Sequence, residues 1–301
     1  MSRSKLRGYD RSFPNYAFYA LVYGFTLFAC VVTLYPFLYV LSVSLSSVEA
    51  INTRFITVFP IHPTLSGYKM VLGFPDIWKS YYNTIWYTGV GTALNILATC
   101  LAAYPLSRRQ FFLRRQLNFF IAFTMYFSGG LIPFYIIVTK LGLYNTRWVM
   151  VLPLLVSTYN VMICRSAFEG IAQEIFESAA MDGASDMRVL FKIAMPLVKP
   201  TLAVLTLYYA VGHWNNFFGA LLFLGDTKLQ PLQILLRRVL IMASPEVMQS
   251  MGANLSAQSL AISSLQIRYV TIIVSIAPII MIYPFLQKYF VKGIMLGAVK
   301  G

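Results

Sequence analysis

Charge is the scarcest ingredient of this chain. Asp, Glu, Lys and Arg make up 11% of its 301 residues, where soluble domains carry about 25%. So few charges cannot cover a surface in water, which excludes the pair of soluble domains that length alone would allow. Histidine occurs twice, as His62 and His213, and cysteine three times, as Cys30, Cys100 and Cys164. The cysteines lie in apolar stretches with no C-x-x-C spacing and no histidine beside them, so neither a metal site nor a disulfide is expected. The dipeptide Gly-Lys is absent, and with it the phosphate-binding loop G-x-x-x-x-G-K-[ST]; no nucleotide or other cofactor is expected in this chain. No Ser/His/Asp set converges either, which argues against an intramembrane enzyme. A net charge of +14 does not indicate nucleic acid, because that needs a basic face on a soluble fold.

What the chain has is apolar length: 58% of its residues are hydrophobic. Six uncharged runs are long enough to cross about 30 Å of hydrocarbon at 1.5 Å per residue: 17–43, 84–106, 117–139, 148–164, 201–225 and 269–287. The fourth is the shortest and is read as extending past Cys164, with Arg165 reaching toward the headgroups. The expected fold is an all-α polytopic membrane protein of six transmembrane helices. An even number of spans places both ends on one side. Fifteen of the 24 lysines and arginines fall in 1–16, 107–116, 165–200 and 288–301, so these segments, including both termini, are assigned to the cytoplasm. Leu27-Phe28-Ala29-Cys30 faintly resembles a lipoprotein cleavage site, but the apolar run continues well beyond Cys30, and it is read as span one.

Pro36, Pro133, Pro153, Pro278 and Pro284 lie inside spans, and span three adds Gly129-Gly130. Each proline removes a helix hydrogen bond, so kinked helices are expected. No Asp or Glu lies in any of the six runs, which deprives an ion- or proton-coupled secondary transporter of its usual coupling groups. His213 would lack a second member for a proton relay.

The loop 165–200 is the most informative segment. It reads as two short helices: one near 172–181, closed at Asp182-Gly183 by glycine in the left-handed region, and a second capped by Ser185 with Asp186 in its first turn. The second is expected to run through Leu190 and stop before Pro196, and Pro200 to redirect the chain into span five. Phe176, Met181 and Leu190 are read as exposed on this turn, implying either a docking partner or a fold back onto the membrane surface.

Glu177, Ser178, Ala179, Ala180, Met181, Asp182, Gly183 and Ala184, followed by Ile193, Met195, Pro196 and Pro200, resemble the E-A-A, D-G-A, I-x-L-P loop of binding-protein-dependent ABC importer permeases. The departures are Ser178 for alanine, Leu190 for phenylalanine and Met195 for leucine. Trp214-Asn215-Asn216-Phe217 and the closing Lys292-Gly293-Ile294 to Val299-Lys300-Gly301 resemble the smaller permease of maltose-type importers. The resemblance implies a type I importer fold in a prokaryotic cell membrane, a second homologous permease, two ATPase subunits holding ATP and Mg, and an extracytoplasmic solute-binding protein. It implies that the loop docks on an ATPase through Glu177, Ala179, Ala180, Asp182, Gly183 and Ala184, and that Val299, Lys300 and Gly301 also reach the ATPases. Carbohydrate is the implied cargo; a non-sugar solute, or an ion-coupled carrier, is the alternative.

In span five, Tyr209, His213, Asn216 and Ala220 recur at steps of four, three and four, along one helix face. They could bond sugar hydroxyls, with Trp214 and Tyr208 as stacking surfaces, or join neighbouring helices, which is the preferred reading. Arg237-Arg238, in the outer segment 226–268, would suit an acidic sugar or an acidic face of the binding protein, against the plainer reading of a solvated loop.

Overall fold

A computed structural model describes residues 13–53, 56–242 and 266–281; among them all regular structure is helical. The chain divides into two compact units, Met1–Val71 with Met242–Val274, and Leu72–Ile241 with Ser275–Gly301.

The first unit is dominated by α1 (Phe13–Leu45), which is 33 residues long. At 1.5 Å per residue it spans about 50 Å. Its apolar side chains point outward nearly all the way round, with Phe18, Tyr23, Phe25 and Phe28 uncovered, as for a helix whose solvent is lipid. The C-terminal end of α1 changes character. Ser42, Ser44 and Ser46 are buried there, and they tie down the turns that follow. The Ser42 hydroxyl donates to Val58 O, Ser44 Oγ pairs with Tyr68 Oη at 2.8 Å, and Ser46 Oγ accepts from Ile61 N at 3.1 Å. α2 (Val48–Thr53) and α3 (Ser66–Gly73) follow. The last described helix, α14 (Gln266–Met281), enters this unit through Gln266, whose amide donates to Ser46 O at 2.8 Å. A Cβ on Gly67 would come within 3.1 Å of Gln266 and Val270, so the missing side chain is what lets α3 lie this close.

The second unit is organised on α4 (Pro75–Ser107). Among the described residues, α1 and α4 are each long and apolar enough to cross a membrane unaided. The expected spans three, four and five are not single rods. Span three is α5 (Arg114–Tyr126) and α6 (Leu131–Lys140), bent by 115°. The break is Gly129-Gly130: Gly130 has φ +83°, a region L side chains rarely adopt. Pro133 falls in the first turn of α6, where no intrahelical donor is needed. Span four opens as short 3-10 turns over 147–154 around Pro153 and then bends by 52° into α7 (Thr158–Glu169). The helix continues past Cys164 to Glu169, and Arg165 pairs with Glu169 at 3.0 Å. Span five is α11 (Lys199–Trp214) and α12 (Phe217–Phe223), interrupted at Asn215-Asn216. Residues 282–301, with Pro284 and the tail, lie outside the described residues, as do the first twelve.

The polar side chains of α4 satisfy backbone groups of the irregular segments around it, the break in span four among them. Backbone groups freed inside a membrane protein must find partners. Asn95 Nδ2 donates to Leu154 O and Leu155 O at 2.6 and 2.9 Å, where span four is irregular. Asn83 Nδ2 donates to Lys228 O at 2.8 Å, and Tyr87 Oη to Leu229 O at 2.7 Å. Thr84 Oγ1 accepts from Leu232 N at 2.8 Å. Asn83, Tyr87, Gly91, Asn95 and Thr99 recur every four residues, so one ridge of α4 serves the loops around it.

Candidate functional site

The loop 165–200 is built as an extension of the helical core. α8 (Gln173–Met181) turns Phe176 and Ala179 inward. It closes at Gly183, which has φ +69°, with the amides of Gly183 and Ala184 donating to Ala180 O and Ala179 O at 3.0 Å each. This is the paired closure that a left-handed residue past the helix end makes possible. Ser185 does precede α9 (Asp186–Val189) in an extended conformation, but its hydroxyl makes no capping bond, contrary to the sequence expectation.

The second helix also does not stop before Pro196. The chain stays helical through a π turn, Leu190–Ala194, into α10 (Met195–Leu197). The amide of Met195 reaches back five residues to Leu190 O. Widening the turn relieves the crowding that a proline ring imposes on the preceding turn, so Pro196 is accommodated rather than terminating the helix. The break comes two residues later at Val198, and the chain turns by 87° into α11, which starts at Lys199 with Pro200 in its first turn.

Of the three residues read as exposed, only Met181 is, at 89%; Phe176 and Leu190 are 5% and 2% exposed. They pack with Cys100, Ala103, Tyr104 and Leu106 of α4, Cys164 and Phe168 of α7, and Leu205 of α11. The docking partner inferred for Phe176 and Leu190 is thus this chain itself. Arg108 lies 3.6 Å above the Phe176 ring, a cation–π contact that shields the outer face of that ring. At the foot of the loop, Glu169 accepts from Arg114 at 2.5 Å and Arg165 at 3.0 Å, and Arg165 also donates to Asn118 Oδ1 at 2.8 Å. Burial raises the Glu169 pKa, but the hydrogen bonds and charges of the two arginines outweigh it and hold the carboxyl below its ordinary value. The result is a stiff bracket whose tip presents Glu177, Ser178, Ala180, Met181, Asp182 and Gly183 to solvent; Pro196 is also exposed, Ala184 half-buried, and Ala179 faces inward. A cleft of about 430 Å³ runs between this bracket and Tyr104, Arg108 and Phe111.

The stripe read along span five is divided by the helix break. Tyr209 and His213 are buried. Tyr209 Oη bonds Thr99 Oγ1 at 2.7 Å and accepts from Ser157 N at 3.2 Å; His213 Nε2 sits 2.6 Å from Asn95 Oδ1. Both are interhelical ties, the reading preferred from sequence. Trp214 is also buried. Asn216 caps α12 by accepting from Gly219 N at 3.0 Å. The uncovered face of α11 is one residue over: Tyr208, Val211, Gly212 and Asn215, at helical spacing, continued by Phe217. Two polar side chains reach toward it from α13 (Leu232–Met242). Gln233 Nε2 lies 3.4 Å from Asn215 Oδ1, and the Arg237 guanidinium 5.8 Å from the Phe217 ring centroid. The sequence signal for Asn215 was the doubled asparagine itself, one to cap and one to spare. Val299, Lys300 and Gly301 lie outside the described residues.

Residues 95–296 match the family described as "Binding-protein-dependent transport system inner membrane component". The chain is 36% identical over 289 residues to the polygalacturonan/rhamnogalacturonan transport system permease protein YtcP of Bacillus subtilis, covering 95% of this chain and 99% of that one. It is 28% identical to the melibiose/raffinose/stachyose import permease protein MelC of the same organism, covering 88% and 91%. A bacterial ABC transporter involved in the import of the acidic polysaccharide alginate contains a chain that superposes with TM-score 0.86 at 33% identity, covering 93% of this chain and 98% of that one. This chain belongs to the inner membrane permease components of binding-protein-dependent ABC transport systems.

Proposed function

We propose that this permease carries a sugar or oligosaccharide inward, and that the bracket formed by residues 165–200 couples it to a separate ATPase. The cargo class is supported by the cargoes of the similar transporters, which are saccharides. The coupling role is supported by one observation above the others: an exposed apolar tip at Met181, beside Asp182 and Gly183, stands on a core shared with α4, α7 and α11. A residue such as Met181, uncovered in water, gains about 1.5–3 kcal/mol when buried against a partner. A lever built this stiffly passes displacement at its tip to the spans rather than absorbing it.

In this reading the chain has six spans and both termini in the cytoplasm. It pairs with a second, homologous permease and two ATPase subunits, which hold ATP and Mg, and it receives cargo from an extracytoplasmic binding protein. Glu177, Ser178, Ala180, Met181, Asp182 and Gly183 contact the ATPase, with Val299, Lys300 and Gly301 as a second contact. ATP-driven closure of the ATPase pair binds one permease conformation better than the other, which is what shifts access across the membrane. Cargo moves along the uncovered Tyr208, Asn215 and Phe217 face, while Tyr209 and His213 hold helices together.

Gly183→Leu tests the coupling. It adds roughly 1–2 kcal/mol of left-handed backbone strain and places a bulky side chain at the tip. Membrane insertion is expected to persist, while ATP-dependent uptake by the reconstituted complex is lost. Normal uptake by a well-inserted variant would remove the loop from the mechanism.

A further inference from the structure

The mechanism above gives no role to Arg237, which lies beside the break in span five. α13 is anchored by Leu232, Ile234 and Leu235, all buried. Gln233 and Arg237, one turn apart, lie together on another face and meet span five where it breaks, at Asn215 and Phe217. The other arginines nearby are engaged. Arg238 donates to Gln230 Oε1 at 2.6 Å. Arg147 donates to Asn83 Oδ1 at 3.1 Å and lies over the rings of Tyr82 and Trp86. Arg237 has the ring of Phe217 but, among the described residues, neither a hydrogen-bond nor an ion-pair partner. Asp226, the acid nearest to it in sequence among the described residues, caps the turn Thr227–Leu229 through Lys228 N at 2.8 Å.

A guanidinium on a packed helix beside a broken span, with no anion paired to it among the described residues, belongs to a wet path rather than to lipid. Its planar fork matches the two oxygens of a carboxylate. Around it stand an aromatic face for a sugar ring, two amides for hydroxyls, and Tyr208 on the same face of α11. We propose that Arg237, with Phe217, Asn215 and Gln233, forms a subsite for the carboxylate of an acidic sugar residue, so that the cargo is a carboxylated oligosaccharide. The inference rests on the importer reading given above and narrows its cargo.

The test uses the full complex, with partner permease, ATPases and binding protein, in proteoliposomes. Uptake of galacturonate and mannuronate trimers is compared with that of their methyl esters and of raffinose. The wild type is expected to take up at least one of the acidic trimers and to discriminate against its ester. Arg237→Gln is expected to lower the maximal rate for that trimer about tenfold while sparing any residual ester uptake, and Arg237→Lys to recover part of the loss. Co-purification of the ATPase with each variant establishes that the complex has assembled. Equal wild-type rates for acid and ester, equal losses for both in Arg237→Gln, or uptake of raffinose alone would each overturn the carboxylate subsite and leave the importer standing. A complex that moves none of the saccharides on addition of ATP would overturn the sugar reading and this inference with it.

Discussion

The two halves of α4 are built on different principles. Toward its C-terminal end, Cys100, Ala103, Tyr104 and Leu106 pack apolar surface against the signature loop. Toward its N-terminal end, Asn83, Thr84, Tyr87 and Asn95 bond the backbone of short 3-10 turns and helix ends. The contrast separates two kinds of polar residue in a membrane protein. Asn83, Tyr87 and Asn95 on the ridge of α4 are scaffolding, because each one satisfies carbonyls of an irregular segment beside it. The side chains of Asn215 and Arg237 bond no backbone group among the described residues, and they are the ones proposed above to meet cargo.

Three substitutions in this unit would break or sharpen that contrast. All can be followed by thermal unfolding of the detergent-solubilised chain in a Cys30→Ser background. Cys100 and Cys164, both 0% exposed, then report the opening of the core by reacting with a thiol-specific dye. The largest effect is expected of Asn95→Leu, which strands the carbonyls of Leu154 and Leu155 and releases His213. A loss of about 3 kcal/mol is expected, and an unchanged melting temperature would show that the broken span does not depend on α4. A smaller loss, about 2 kcal/mol, is expected of Gly91→Ala, because its Cβ would lie 2.5 Å from His213 Nε2. Combined with His213→Ala it should cost less than the sum of the two; strict additivity would mean that the clash is not with the imidazole. The smallest effect, under about 0.5 kcal/mol, is expected of Ser185→Ala, since its hydroxyl caps nothing. A loss of the size usual for a helix cap would show that the hydroxyl does bond the helix.

Much of this was legible in the residues. Glycine after Asp182 announced a left-handed closure, and Gly129-Gly130 marked where span three would fail. Paired glycines and a well-placed proline act locally, so the chain itself carries the signal. Burial of Phe176 and Leu190 was not legible, because it depends on Tyr104 and Arg108, distant in sequence and brought there by the fold. The polar stripe of span five was displaced for a related reason. Counting by helical steps from Tyr209 to Asn216 assumes an unbroken helix, and the helix ends at Trp214. Each of Asn215 and Asn216 could have been the cap; only Asn216 reaches an amide.

The π turn at Leu190–Ala194 has a consequence for how the loop is aimed. Each residue of an α-helix advances the chain by about 100° around its axis, and a π turn holds one residue more than an α turn. That surplus residue sets the rotational phase of everything before it relative to α11. The compass bearing of the Met181 tip is therefore fixed by a count of residues far from the tip, in a stretch that makes no outward contact of its own through Leu190 or Ala194.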